Sequence, residues 1–201
     1  MLALLGPPVV AAGTVLVALL AGWYEWDASA LEESLGGVPL PLALLGLMLI
    51  SILLVPLFWG EEFGWTGYLR PRMPTGRPLL ALLLTSLIWA VWRYPLVFTG
   101  YTEFGNVFLG LLCWTSIFFT LQAILTGLYE RSGSIWVPSL AHAGNNFVLW
   151  MLPAVLMVDT GQISGEMLNL VGLVPLMPLA IWAWRSSPRH TGLPLDTQAS
   201  A

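Results

Sequence analysis

The sequence predicts an all-α protein, a polytopic transmembrane helical bundle that crosses the bilayer about six times with both termini in the cytoplasm. Hydrophobic residues make up 57% of the 201-residue chain, whereas charged residues make up only 9%. Soluble domains carry about 25% charged residues, so this chain has too little charge to cover the surface of a water-soluble fold. Long apolar stretches and a one-sided distribution of arginine complete the prediction.

The apolar stretches are close to the roughly 20 residues that a transmembrane helix needs. They cover residues 2–22, 40–60, 79–99, 106–128, 135–157 and 167–184. Short connections rich in glycine, proline or charge separate them. Residues 1–185 are therefore predicted to form one membrane domain, and the polar residues 186–201 are predicted to form a cytoplasmic tail.

The charged residues of the connections fall on opposite sides of the predicted bundle. One side receives all the basic residues but one, namely Arg70, Arg72, Arg77, Arg131, Arg185 and Arg189. The other side receives acidic residues and no arginine, namely Glu25, Asp27, Glu32, Glu33, Glu103, Asp159 and Glu166. Arginine in short loops marks the cytoplasmic side, which predicts an N-in, C-in topology. Because the basic residues are not clustered into one surface, nucleic acid is not an expected partner, whereas membrane lipid is.

Polar groups inside the apolar stretches are the candidate functional residues, because an unpaired charge at membrane depth is costly. They are Glu61 with Glu62, Arg93, and His142 with Asn145 and Asn146. Adjacent helical residues point about 100° apart, so the two glutamates cannot both face one spot. His142 and Asn146 are four residues apart and share a helix face.

Two interpretations of this polar set remain open from the residues alone. The groups could line a cavity, or they could form a network that only holds the spans together. The stripe formed by Gly60, Gly64 and Gly67 is ambiguous in the same way, because small residues allow either close helix packing or a tight polar cavity.

Three segments carry a resemblance to a known family. They are Glu61-Glu62-Phe-Gly-Trp-Thr-Gly-Tyr-Leu-Arg-Pro-Arg72, Trp89-Ala-Val-Trp-Arg93 and His142-Ala-Gly-Asn-Asn146. In that order they resemble the Glu-Glu-x-x-x-Arg, aromatic-x-x-x-His and His-x-x-x-Asn motifs of the CAAX prenyl protease and bacteriocin-processing family, also called CPBP or Abi intramembrane proteases. The resemblance covers roughly residues 56–147.

The resemblance implies an intramembrane endopeptidase of the prokaryotic inner membrane that cleaves a peptide or a membrane-associated protein. It implies that Glu61, within the Glu61-Glu62 motif, activates a water molecule as general base. It further implies that His142 supports this water and that Asn146 donates a hydrogen bond to the oxyanion. A preorganised amide donor of this kind contributes about 3 kcal/mol to the rate.

Two positions depart from the family motifs. Thr66 stands where the first motif has arginine, and Arg93 stands where the second motif has histidine. The first change removes an ion-pair partner four residues after Glu62. The second change replaces a ligand or water-positioning group with a fixed positive charge, which we expect to pair with Glu61 or Glu62 of the neighbouring helix.

The resemblance also implies zinc as a candidate cofactor, for which the sequence offers Glu61 and His142 as ligands. A catalytic zinc site normally uses three protein ligands, and His142 is the only histidine in a predicted span. Arg93 nearby would repel the cation. The sequence therefore leaves metal use open.

Two other functions compete with the peptidase. The first is a catalytically silenced family member that acts as a membrane binding, scaffold or immunity-type protein, which the loss of the second-motif histidine favours. The second is a small transporter or channel whose polar groups line a permeation path. The absence of an internal repeat and the single asymmetric polar cluster argue against the second.

Overall fold

The structure, a computed structural model, describes residues 1–27, 29, 33, 36–73, 76–102, 104–149, 151–161 and 165–187. The helices are α1 (Leu2–Leu20), α2 (Leu40–Leu53), α3 (Val55–Glu62), α4 (Pro78–Arg93), α5 (Val107–Ser132), α6 (Trp136–Gly144), α7 (Met151–Leu156) and α8 (Gly165–Arg185). Three of them change pitch as they continue: α3 into a π-helix (Phe63–Leu69) and a last turn (Arg70–Arg72), α4 into a 3-10 helix (Tyr94–Thr99), and α6 into a π-helix (Asn145–Leu149). Two short strands are β1 (Tyr24–Trp26) and β2 (Met157–Asp159). The predicted all-α class is confirmed.

Within the described residues, four helices are each long and apolar enough to cross a membrane, and α2 with α3 forms a fifth candidate if the two count as one span. The α2–α3 pair bends by 52°. Pro56 lies in the first turn of α3, and a proline cannot donate the backbone hydrogen bond that would continue α2. The predicted stretch 135–157 is not one regular helix, because it consists of α6, a π-helix and α7.

One end of the bundle, which we call the arginine end, joins the last turns of α3, α5 and α8. Arg70 forms an ion pair with Glu130 at 2.7 Å, and both side chains are almost fully buried. Arg131 donates from Nε to the carbonyl oxygen of Ser186 at 3.3 Å. Ser187 donates a hydrogen bond to Glu130. The C-terminal ends of α5 and α8 therefore lie side by side.

The opposite end, which we call the strand end, contains a small sheet between the ends of α1 and α7 and a bond between the starts of α5 and α8. β1 and β2 pair antiparallel, with Tyr24 opposite Asp159. The backbone N–H of Asn106, which precedes α5, donates to Oε1 of Glu166 at 2.7 Å. The N-terminal ends of α5 and α8 are therefore also side by side, and the two helices run parallel.

Because α5 and α8 are parallel, the chain between them returns from the arginine end to the strand end through α6, its π-helix and α7. The structure has four to five candidate spans, so the predicted number of six stays a prediction. The N-in, C-in orientation stays a prediction. Glu32, Glu103, Arg189 and the predicted tail from residue 188 onward lie outside the described residues.

Glycines set the closest helix contacts, but not at the predicted stripe. A Cβ added at Gly60 or Gly64 would meet no atom within 4 Å, and at Gly67 it would make ordinary van der Waals contacts, the nearest with Ile135 Cδ1 at 3.4 Å. Of the two interpretations left open for this stripe, close helix packing is therefore not found at Gly60 or Gly64. Close packing occurs instead at Gly127, where an added Cβ would lie 2.7 Å from the carbonyl oxygen of Ala183.

Replacing Gly127 with alanine is expected to lower the free energy of unfolding by about 1–3 kcal/mol, because α8 must shift away from α5 to admit the methyl group. Denaturation in mixed detergent micelles measures the change. Gly46→Ala is the matched control, since its Cβ would enter open space and alanine favours helix. Equal losses for the two variants would contradict the close α5–α8 packing.

Candidate functional site

Glu62 and His142 form a buried pair between α3 and α6. Oε1 of Glu62 lies 2.8 Å from Nδ1 of His142, and the side chains are 0% and 2% exposed, respectively. The imidazole ring packs between two aromatic rings, with its centroid 4.8 Å from that of Phe58 and 5.2 Å from that of Trp89. These two aromatic contacts restrict the orientation of the imidazole ring.

The second carboxylate oxygen of Glu62 binds the hydroxyl group of Thr66, the residue that stands where the first motif has arginine. Thr66 donates from Oγ1 to Oε2 of Glu62 at 2.6 Å. Gln122 of α5 donates from Nε2 to Thr66 Oγ1 at 3.2 Å and to Thr126 Oγ1 at 3.3 Å. All of these side chains are fully buried. The carboxylate is thus satisfied by neutral donors and by His142, without an arginine.

Replacing Thr66 with valine is expected to lower the free energy of unfolding by about 1–2 kcal/mol, because it leaves a buried carboxylate oxygen without its donor. Thr85→Val is the matched control, since Thr85 is equally buried and its hydroxyl donates only to Ala81 O of its own helix. Thermal unfolding in detergent compares the two. A loss no larger than that of the control would show that the Thr66 hydroxyl does not support Glu62.

Glu61 lies on another face of α3 and is bound by Arg93. Nη2 of Arg93 donates to both carboxylate oxygens of Glu61, at 3.0 and 2.9 Å. The Arg93 side chain is 17% exposed and that of Glu61 is 27% exposed. The expected pairing of Arg93 is therefore found, and among the described residues its carboxylate partner is Glu61.

A cavity of about 440 Å³ lies beside these pairs. Its polar lining includes Arg93, Thr102, His142, Asn145, Asn146 and Asn169, and aromatic, aliphatic and methionine side chains form the rest of its wall. Neither glutamate lines it. His142 therefore connects the buried Glu62 to the cavity, and Arg93 connects Glu61 to it.

The asparagines differ in how they are bonded. Asn146 donates from Nδ2 to the backbone oxygen of His142 at 3.0 Å, which uses one of its two amide hydrogens. Oδ1 of Asn145 is buried and accepts no hydrogen bond from any described residue. Since buried polar atoms are normally satisfied, this oxygen suits a donor supplied from the cavity.

Two π-helical segments begin next to the site residues. One follows Glu62 directly, and the other starts at Asn145, three residues after His142. Such segments are rare and occur frequently at functional sites. Each wider turn changes the direction in which the following side chains leave the helix.

The comparison with known families agrees with this geometry. The model of the type II CAAX prenyl endopeptidase Rce1-like family matches residues 41–148. The chain belongs to this family. The match spans more than half of the chain and includes all three motif segments, which confirms the resemblance found in the sequence. No curated protein and no solved structure matches the chain.

Membership in the Rce1-like family suggests a membrane protease with a peptide or protein substrate. The apolar helices agree with a membrane location. The structure joins Glu62 to the His142 imidazole and Asn146 to the His142 backbone oxygen, whereas it binds Glu61 to Arg93.

The donor set of this Rce1-like site does not fit the zinc that the resemblance implied. Nδ1 of His142 is engaged by Glu62, and Glu61 is bound to the cationic Arg93. In the described part of the chain, no three histidine, cysteine, aspartate or glutamate residues are close enough to hold a metal. A catalytic zinc site normally needs three protein ligands, which these residues do not supply.

Sequence reasoning missed two polar residues of the site, Gln122 and Asn169. Gln122 supports Thr66, and Asn169 lines the cavity from the second turn of α8. Both are polar residues inside apolar spans, which is a signal that could have identified them.

Proposed function

We propose that the protein is an intramembrane endopeptidase of the prokaryotic cell membrane in which Glu62 orients His142, and His142 activates the attacking water. The proposal differs from the family-implied role of Glu61 as general base. The observation that carries it is the 2.8 Å contact between Glu62 Oε1 and His142 Nδ1 at the edge of the cavity.

The pair is arranged as a carboxylate that orients an imidazole. With Glu62 ionised, the Nδ1–H group of His142 donates a hydrogen bond to Oε1 of Glu62, so Nε2 of the neutral ring holds a free lone pair. No described residue forms a hydrogen bond with Nε2. A water molecule in the cavity can therefore give its proton to this nitrogen, which is the role of a general base.

Glu61 is less suited to this step. Both oxygens of its carboxylate already accept hydrogen bonds from the Arg93 guanidinium, and Glu61 does not line the cavity in which the water would lie. Arg93 itself lines the cavity, where its remaining N–H groups can stabilise negative charge that develops on a substrate carbonyl oxygen.

In the proposed reaction, His142 moves one proton from the attacking water to the leaving amine. Nε2 of His142 takes a proton from water as the water oxygen bonds to the carbonyl carbon, and the carbonyl oxygen becomes an oxyanion. Arg93 and the amide of Asn146 are the candidate donors to this oxyanion. The carbon–nitrogen bond then breaks as the imidazolium returns the proton to the leaving amine.

Hydrolysis in heavy-oxygen water tests the proposal. The protein, reconstituted in lipid vesicles, is incubated with a mixture of membrane-associated peptides, and mass spectrometry searches for new C-termini that carry the heavy oxygen. We expect such products from the wild type and none from His142→Gln. Equal products from the two proteins, or none from either, would contradict the proposal.

A second candidate is a non-catalytic member that binds a peptide in the same cavity, since Arg93 binds the glutamate that the family uses as base. If this second function is correct, the wild-type protein cleaves no peptide. It binds peptide, and His142→Gln leaves this binding intact. The same function also predicts that Arg93→His creates activity, because that change releases Glu61 and restores the second motif.

A further inference from the structure

We propose that Asn169 of α8 binds the backbone of the substrate, by pairing its side-chain amide with a peptide group about two to three residues from the bond that is cleaved. The inference deepens the proposed function and rests on it for identifying the occupant of the cavity as a peptide. Asn169 lies outside the segment 41–148 that matches the family model, so none of the three family motifs assigns it a role.

Three polar residues of the cavity wall already have partners. His142 and Arg93 are each bound to a glutamate. Asn146 donates from Nδ2 to the backbone oxygen of His142. Asn169 differs from them, because no described residue forms a hydrogen bond with its side chain.

The amide of Asn169 is buried and yet reaches the cavity. The residue is 9% exposed and lines the cavity wall, and neither its amide oxygen nor its amide nitrogen is fully enclosed by protein. Buried polar groups normally have hydrogen-bond partners, and an unpaired one at membrane depth is costly. The amide therefore suits a ligand that both donates and accepts a hydrogen bond, as a peptide group does.

Asn169 and His142 lie at different levels of the cavity along α5. α5 and α8 are parallel, and Glu166, three residues before Asn169, is bonded to the residue that precedes α5. Asn169 therefore lies beside the first turns of α5. His142 packs on Trp89, which in turn packs on Phe118 in the middle of α5.

The length of the cavity sets the spacing between the two contacts. Its lining on α5 extends from Trp114 to Leu121, which is about 10 Å at 1.5 Å per residue. An extended peptide advances about 3.3 Å per residue, so about three residues span this length. With the scissile bond at His142, Asn169 meets a backbone group two to three residues away. Since this contact is made to the backbone, it positions the substrate without selecting a side chain.

Binding of a fluorescent, alanine-rich peptide and of its single backbone esters tests the contact without any assay of catalysis. Each ester replaces one peptide N–H with oxygen at nearly unchanged shape. The protein is the full-length His142→Gln variant in lipid–detergent micelles, which leaves bound peptide intact. Asn169→Leu, made in this background, removes the amide at similar side-chain size. Met151→Leu is the matched control, because Met151 lines the same cavity and carries no amide.

We expect one ester position to weaken binding about 10-fold, which corresponds to the loss of a buried hydrogen bond. Asn169→Leu is expected to weaken binding of the all-amide peptide by a similar factor and to abolish the effect of that ester. Met151→Leu is expected to change neither. Because the affinities of ester and amide are compared within each protein, a smaller folded fraction of Asn169→Leu does not affect the comparison.

Three results would overturn the proposal: no binding of the peptide, no effect of any ester, or ester effects that Asn169→Leu leaves unchanged. The last two are expected if the amide of Asn169 binds only water. If binding follows the expected pattern but the wild type hydrolyses no peptide, the Asn169 contact stands and the proposed peptidase function fails.

Discussion

Replacing Glu62 with glutamine is expected to lower the rate of peptide hydrolysis by about 1,000-fold or more. Glutamine keeps the shape of the side chain but offers no charge to stabilise the imidazolium of His142, and it permits the wrong tautomer. Changing the carboxylate that orients a catalytic histidine to an amide costs about 10,000-fold in serine proteases. Initial rates in lipid vesicles, at equal amounts of folded protein, measure the effect.

Glu61→Gln is the matched control, since it changes the adjacent residue by the same atom. We expect it to retain activity within about 10-fold of the wild type, because the Glu62–His142 pair stays intact. The change removes only the ion-pair partner of Arg93. If Glu61→Gln abolishes hydrolysis and Glu62→Gln does not, Glu61 is the base that the family resemblance implied.

Replacing Arg93 with methionine is expected to lower the free energy of unfolding by about 3 kcal/mol. Removing one partner of a buried ion pair leaves the other charge uncompensated. The partial exposure of Glu61, at 27%, places the loss at the lower end of the range measured for buried pairs. Denaturation in mixed micelles measures the loss.

A double-mutant cycle then isolates the pair. The combination of Arg93→Met with Glu61→Gln is expected to be less destabilised than the sum of the single variants by about 1–3 kcal/mol. The same cycle with Glu62→Gln is expected to show much weaker coupling, because Glu62 bonds to Thr66 and His142. Additive losses for the Arg93–Glu61 combination would contradict the ion pair.

The membrane class and the motif residues could be predicted from the sequence because each rests on a strong local signal. Low charge and long apolar stretches require lipid as the solvent, and polar groups inside such stretches require partners. The expectation that Arg93 pairs with a glutamate followed from the same rule. The family model confirmed the resemblance that the motif spacing indicated.

The choice between the two glutamates could not be predicted. Neighbouring helical positions differ by about 100°, so deciding which one faces His142 requires the rotation of α3 relative to α6. That rotation depends on the 52° bend after α2 and on the π-helix that begins at Phe63. Neither feature has a periodic signature in the sequence.

The small sheet and the direction of the cavity also escaped sequence reasoning. Strands of three residues are too short to show an alternating pattern, and β1 and β2 are more than a hundred residues apart in the chain. The cavity depends on contacts among α4, α5, α6 and α8, which only the packed bundle specifies.

Nitrogen nuclear magnetic resonance of His142 tests the central pairing most directly, because the chain has only two histidines. With nitrogen-labelled histidine, the account predicts one signal pair in which Nδ1 is protonated and hydrogen-bonded. It also predicts that Glu62→Gln shifts these signals strongly, whereas Glu61→Gln leaves them nearly unchanged. Signals of His142 that do not respond to Glu62→Gln would contradict the pairing on which the proposed chemistry depends.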